Sequence, residues 1–397
     1  MKKRMIAGVL GLVMSVGMLA GCGTGTVNET TTAAPAATTA GEVPAKKTEA
    51  AAGAEDGYTI GFLNTLISSK WRAQLMEDAE MGAAELKAQG KIKELIIQTC
   101  QNDVNTQLNQ MNQMINEGVD CILLDPASTT ALADVVKTAV DKGVLVLIVQ
   151  DAAPYPDTYC ITDNNELMAT ALATWVAESI GGEGEIVELT GIPGHSDDTV
   201  RVNNMHKVLE TKYPGVKILA SAPCHYNYSE AQSIISQNLA TYGDRIQAVI
   251  SQDDMAPGAL LAFQNSNAPY VPMVGHTSKA FLRNWKDEGL DCIAYSIYTG
   301  KIVDAMNIAI KLLDGHEINP DVLSPNSFDE NLVNQIRLEP PYIVTTNGDP
   351  DAPWMEGLTV TQAVSVEEAL KICEEYGEDW CLDRFMSEEE IDALFLK

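Results

Sequence analysis

Residues 101–126 read QNDVNTQLNQMNQMINEGVDCILLDP. Val104, Leu108, Met111 and Ile115 recur at helical spacing and give one apolar face, while the opposite face is Asn and Gln. Gly118 stands where a helix C-terminal cap needs a positive φ. Val119 to Leu124 then reads as a buried strand, ended by Asp125 and Pro126. A helix followed by a buried strand is half of a βαβ crossover. Polar residues beyond the carboxyl end of such a strand sit where open α/β sheets bind ligands.

The alternation extends both ways from this run. Strand 58–63, helix 70–89 closed by Gly90, strand 93–99, helix 103–117, strand 119–124, helix 131–142 and strand 144–149 predict a parallel sheet. After Thr162-Asp163-Asn164 the series restarts. Helix 166–180 and strand 184–189 lead to helix 197–213 and strand 217–221; helix 229–241, strand 248–251, helix 255–266 and strand 271–274 follow. The fold class is therefore α/β, with two doubly wound parallel-sheet lobes facing a cleft. Tyr295 to Tyr298 reads as a return crossing, 301–313 as a helix of the first lobe and 342–345 as a late strand. Residues 349–397 carry two helices with capping boxes, Ser365-x-x-Glu368 and Ser387-x-x-Glu390. Trp354, Trp380, Phe385 and Leu394 would pack this extension on a lobe as a structural flap.

At 397 residues, 46% of them apolar and 20% charged, the chain is long enough for two globular cores. A formal net charge of −29 argues against nucleic acid or anionic lipid as a partner, because a phosphate backbone would be repelled. Lys2, Lys3 and Arg4 precede an apolar run from Met5 to Leu19, the pattern of a secretory signal. It ends in Leu19-Ala20-Gly21-Cys22, which resembles the lipobox of bacterial lipoproteins; the resemblance implies cleavage before Cys22 and lipid on its sulfur, an anchor worth about 0.8 kcal/mol per buried methylene. Residues 23–57 are Thr/Ala/Pro-rich and cannot bury enough surface to fold, so they read as a disordered tether. The eight cysteines show neither C-x-x-C nor zinc-ligand spacing, so no metal is expected. Cys121, Cys160 and Cys292 lie in apolar runs as small hydrophobes, and whether Cys373 and Cys381 pair stays open.

The lipobox, residues 101–126 and Gly191 to Arg201 together carry a resemblance to the type I periplasmic binding proteins. These are the sugar receptors of bacterial ABC transporters, with ribose- and galactose-binding proteins as members. The resemblance covers about Tyr58 to Asn347. It implies three interlobe crossings, near Thr162, Tyr298 and Ser327. The first lobe would then be 58–162 plus 299–327, and the second 163–298 plus 328–348. It further implies a monosaccharide ligand, an ABC permease as partner, and export to the outer face of a Gram-positive cell membrane with no cofactor. A sensor that partners a membrane kinase or chemoreceptor would share this fold. A secreted α/β hydrolase is disfavoured, since G-x-S-x-G, G-x-G-x-x-G after a strand and the P-loop are all missing.

Sugars present hydroxyls and apolar C–H faces, so a receptor needs aromatics and planar polar groups on loops after the strands. In the resembling family the loop after the first strand carries a stacking aromatic. Trp71 takes that position, with Ser69 two before it; Arg72 faces either cleft or solvent. Gln150 aligns with the family's Asp/Asn position, and Asp151 replaces a basic residue. Asn164 is a ligand candidate at the hinge, with Asp163 an equal candidate for a helix cap. Gly194-His195-Ser-Asp197-x-x-x-Arg201 matches the galactose-receptor pattern in which His, Asp and Arg bond sugar hydroxyls. Asp197 opens a helix there and Arg201 lies one turn on. Tyr228 aligns with a stacking Trp, and Tyr226 competes for that role. Asp253 is the ligand-facing position of Gln252-Asp253-Asp254, with Asp254 the helix cap. Thr277 stands where the family has an acidic ligand, and Tyr298 where it has Asn or Gln. The family's calcium loop has no counterpart in Gly181-Gly-Glu-Gly-Glu185.

Overall fold

The computed structural model describes residues 56–67, 69–252, 254–348 and 363–397. The signal, the lipobox with Cys22 and the tether up to residue 55 lie outside these, as do Asp253 and Trp354.

The first lobe is built on β1 (Tyr58–Asn64), β2 (Ile92–Thr99), β3 (Cys121–Leu124), β4 (Leu145–Val149) and β5 (Tyr159–Asp163), all parallel. The second lobe repeats the plan with β6 (Glu183–Thr190), β7 (Gly215–Pro223), β8 (Ala248–Ile250), β9 (Met273–Val274) and β10 (Cys292–Tyr295). The chain then returns to the first sheet as β11 (Ser324–Asn326) and β12 (Asp329–Leu338), and to the second as β13 (Ile343–Thr345) and β14 (Ala363–Ser365). Each sheet ends with seven strands.

In the first lobe α1 (Lys70–Ala88), α2 (Val104–Glu117) and α3 (Ala133–Asp141) cross between strands. The second lobe uses α4 (Asn165–Ser179), α5 (Ser196–Lys212), α6 (Tyr228–Tyr242), α7 (Ala256–Ser266) and α8 (Lys279–Glu288), after which α9 (Lys301–Leu313) returns to the first. Gly118 caps α2 at φ 77, as its position in the sequence requires. Met111, Met114 and Ile115 of α2 pack with Ile122 and Leu124 of β3 in one core, so the run 101–126 folds as the crossover it spells.

β12 pairs with β5 in parallel, and this moves the third crossing from the expected Ser327 to the segment after Leu338. Residues 328–338 therefore belong to the first lobe's sheet, not to the second lobe. Two of the buried side chains are polar, Asn334 Nδ2 donating to the Thr158 carbonyl at 3.0 Å and Gln335 Nε2 to Thr162 Oγ1 at 2.7 Å, while Ile336 and Leu338 join the first lobe's core.

The C-terminal segment is more than a flap on one lobe. β14 extends the second sheet, and α10 (Val366–Ile372) starts at the Ser365–Glu368 capping box. Leu382 is buried in the second lobe's core, its N–H donating to the Thr277 carbonyl at 3.0 Å. Cys381 N–H then reaches Gln74 Oε1 of α1 at 2.8 Å, and Met386 N–H reaches Asp304 Oδ1 of α9 at 3.0 Å. Beyond the second capping box, α11 (Glu388–Asp392) places Ile391 and Phe395 in the first lobe's core. Residues 381–386 are thus a fourth interlobe crossing, beside the one at 296–300. Cys373 and Cys381 are both buried, and no disulfide joins them.

Candidate functional site

A cavity of about 680 Å³, mouth included, lies between the lobes at the carboxyl ends of the strands. Loops after β1, β4 and β5 form one wall, and loops after β6, β7, β8 and β10 complete it.

On the first wall Ser69 caps α1, its Oγ accepting from Arg72 N–H at 3.2 Å. That fixes the turn presenting Trp71 and Arg72. The Arg72 guanidinium is held by Asp125 Oδ2 at 2.7 Å and Asn64 Oδ1 at 3.1 Å, so it faces the cleft and not solvent. The Trp71 indole N–H donates to the Ile297 carbonyl of the opposite lobe. Lys301 Nζ lies 5.3 Å from the Trp71 ring centroid and is ion-paired to Asp163, both being buried. Gln150 is buried at a left-handed φ of 67, and its Nε2 has no protein partner. A buried amide donor without a protein partner is costly unless a water or ligand oxygen meets it.

On the second wall Asp197 and Arg201 share a face of α5, as the i,i+4 spacing requires. Arg201 Nη2 is 3.1 Å from Asp197 Oδ2. Asn165 joins them, accepting from Arg201 Nε at 2.7 Å and donating to Asp197 Oδ1 at 2.8 Å. Burial pushes the Asp197 carboxyl up; Arg201 and Lys301 oppose this, and the charges of Asp151 and Asp163 reinforce it. Asp151 shows the opposite balance. Burial alone would raise its carboxyl, but His195, Ser196 and Arg72 hold it well below the usual range. His195 loses basicity through burial and regains more from Asp151, ending above its ordinary value.

Tyr226, at a left-handed φ of 52, reaches the cavity, and its hydroxyl donates to Gln252 Oε1 at 3.2 Å. The ring lies on Gly191, where a Cβ would come within 2.2 Å of the phenol carbon Cζ. Asp254 also lines the cavity, 3.1 Å from His276 Nε2. Each cationic group here faces a carboxylate of the protein: Arg72 with Asp125, Lys301 with Asp163, Arg201 with Asp197, His195 with Asp151.

Ser69, Trp71, Gln150 and Asp151 thus meet His195, Asp197 and Arg201 round one cavity. Four other candidates fall elsewhere. Asn164 and Asp163 exchange roles: Asn164 Oδ1 caps α4 through Leu167 N–H at 3.1 Å, and Asp163 lines the cavity. Tyr228 is 43% exposed as the first residue of α6, and Tyr226 takes the inward place. Thr277 is buried behind the wall, its carbonyl spent on Leu382. Tyr298 is buried with its hydroxyl facing Asp304 of α9, inside the first lobe's core. Asp254, read as a helix cap, lines the cavity, and the N-cap of α7 is Met255, which offers no side-chain bond. Lys301 and Gln252 went unread. Only the polar loop after β8 hinted at Gln252, and nothing local marks Lys301, whose partner is 138 residues away. Among the described residues no His, Cys, Asp and Glu cluster has metal-holding geometry, and no helix is long and apolar enough to cross a membrane.

The family model described as a periplasmic binding protein domain matches residues 60–317. The chain belongs to the periplasmic binding protein family. Among curated members it is 32% identical over 232 residues to the xylitol-binding protein of Mycolicibacterium smegmatis, covering 57% of this chain and 66% of that one, just under two thirds. It is 24% identical over 272 residues to the ribose import binding protein of Bacillus subtilis, covering 68% and 86%. A solved structure, that of an ABC transporter solute binding protein from Thermobispora bispora, superimposes with a TM-score of 0.63 at 24% identity, covering 80% of this chain and 95% of that one. At that identity the likeness establishes the two-lobed fold alone.

Proposed function

We propose that this periplasmic binding protein is the substrate-binding lipoprotein of an ABC sugar importer. It takes a neutral monosaccharide or related polyol into the interlobe cavity and delivers it to a permease. The observation that carries this reading is the internal pairing of the cavity's charges. A phosphate or carboxylate guest would have to displace Asp125, Asp163 or Asp197 from its cation and leave that carboxylate buried and unpaired. A neutral polyol can instead accept from Gln150 Nε2 and from guanidinium N–H groups while donating to carboxylate oxygens. Trp71 and Tyr226 supply apolar faces for its C–H edges. The curated relatives named for xylitol and ribose support a small polyhydroxylated guest. Anchoring through Cys22 rests on the lipobox.

A thermal-shift screen of the chain without its signal, against pentoses, hexoses, furanose-forming sugars and pentitols, tests the reading. One neutral member raises the melting temperature while its phosphate ester does not. A shift with the ester alone, or with none of the panel, overturns it.

A further inference from the structure

Helix α5 opens on the second lobe without a cap from its own N-cap residue: His195 makes no side-chain bond to the first turn. Helix N-termini leave N–H groups that need an acceptor. Here the acceptor comes from the facing lobe. Asp151, in the loop after β4, accepts at Oδ1 from Ser196 Oγ at 2.7 Å and from Asp197 N–H at 3.2 Å. Ala152 N–H, also on the first lobe, donates to Ser196 Oγ at 2.8 Å. Asp151 Oδ2 is 3.6 Å from His195 Nδ1. Ser196 is 1% exposed and Asp151 6%.

The Ser196 hydroxyl therefore uses its proton and one lone pair on the opposite lobe, and Ser196 does not line the cavity. Every one of these bonds requires the lobes to be together. A negative charge at a helix N-terminus is also favoured by the helix dipole, so the contact is attractive beyond its hydrogen bonds. We infer that Asp151 and Ser196 form a latch between the lobes, a helix cap supplied in trans that raises sugar affinity by favouring the closed clamp. The inference rests on reading the cleft as a sugar clamp, and it makes Asp151 a positioning residue where sequence alignment makes it a sugar contact. A ligand that binds only the closed form gains apparent affinity in proportion to the closed population.

The test is a double-mutant cycle on the full-length mature chain, using the member of a xylitol, D-ribose, L-arabinose and D-galactose panel that raises its melting temperature most. Ser196→Ala and Asp151→Asn each weaken binding about tenfold, mainly through a faster off-rate, as loss of a cap of about 1.4 kcal/mol would give. The double variant is weakened little more than either single one, because both remove the same contact. Ser196→Thr, which keeps the hydroxyl, restores binding and guards against a folding artefact. Wild-type affinity in Ser196→Ala, or additive losses in the double variant, overturns the latch. If no panel member shifts melting, the receptor reading has failed on its own account. The latch is then decided by small-angle scattering of the sugar-free chain: Ser196→Ala expands it if the latch exists, and leaves it unchanged if not.

Discussion

Arg72 Nη1 lies 2.7 Å from Asp125 Oδ2, with the carboxylate wholly buried. The same oxygen takes the Thr65 hydroxyl at 2.6 Å. One ion pair thus binds the end of β3 to the loop after β1 and the first turn of α1, under the cavity floor. Removing the cation strands a buried negative charge. Arg72→Met should destabilise the chain by about 3–5 kcal/mol in a urea melt. Adding Asp125→Asn to it should recover a large part of that loss. Equal losses in the single and double variants would show that the pair carries no such burden.

Trp71 touches the cores of both lobes as well as the cavity. Trp71→Phe keeps an aromatic face and loses the bond to the Ile297 carbonyl, whereas Trp71→Ala loses both. Sugar affinity measured by calorimetry should fall about tenfold in the first and by up to about a further tenfold in the second, since stacking contributes about 0.5–1.5 kcal/mol. A phenylalanine variant weaker than the alanine variant would refute the stacking role.

Gly191 seats the Tyr226 ring by virtue of what it lacks. A Cβ there would lie 2.2 Å from Tyr226 Cζ and push the ring off its seat. Gly191→Ala should abolish most sugar affinity while costing about 1–3 kcal/mol of stability, the range for overpacking. Tyr226→Ala in that background should have no further effect on affinity. If it does, the ring was never displaced.

The crossing at 296–300 meets the C-terminal segment over buried carboxyls. Thr299 Oγ1 bonds both Asp78 of α1 and Asp383, and Gly300 N–H donates to Asp383 Oδ1 at 3.1 Å. Burial, with the neighbouring charges of Asp383 and Glu77, pushes Asp78 up to about 7, and burial does the same for Asp304. A carboxyl raised in the fold holds its proton after the unfolded chain, near 3.8, has released it. Its contribution is complete below 3.8 and is lost as pH rises towards 7, by up to about 1.4 kcal/mol per pH unit for each group. His195 and His206, both raised above 6.5, act in the same direction at higher pH. Unfolding free energy should therefore fall between pH 5 and pH 8 (roughly the window these groups set). Asp78→Asn should flatten its slope; an unaltered slope in that variant would remove Asp78 from the account.

Most of the frame was legible because it is written in local apolar patterns. The run 101–126 gave helix, cap and strand in their right places, and α9 was read to the residue. What was missed lacks such a pattern. β12 gives its buried centre to Asn334 and Gln335 and confines its apolar alternation to Ile336 and Leu338, too short a pattern to mark a strand, and the third crossing was misplaced with it. α8 was overlooked because its apolar residues are few, with Phe281, Leu282 and Trp285 alone buried. In the site, positions fixed by their own helix were found, as with Asp197 and Arg201. Those fixed by distant partners, as with Lys301 on Asp163, were not. The exchange between Tyr226 and Tyr228 turned on two consecutive left-handed residues, His225 and Tyr226, which sequence spacing does not reveal.

The crossing at 381–386 bears on how this receptor breathes. A jaw joined at three points can swing until its backbone links are taut. A further link, seated in one core by Leu382 and in the other by Ile391 and Phe395, shortens that travel from the pivot side. The gape available to an incoming guest should then be narrow, which would favour compact molecules over oligosaccharides and slow their exchange with the medium.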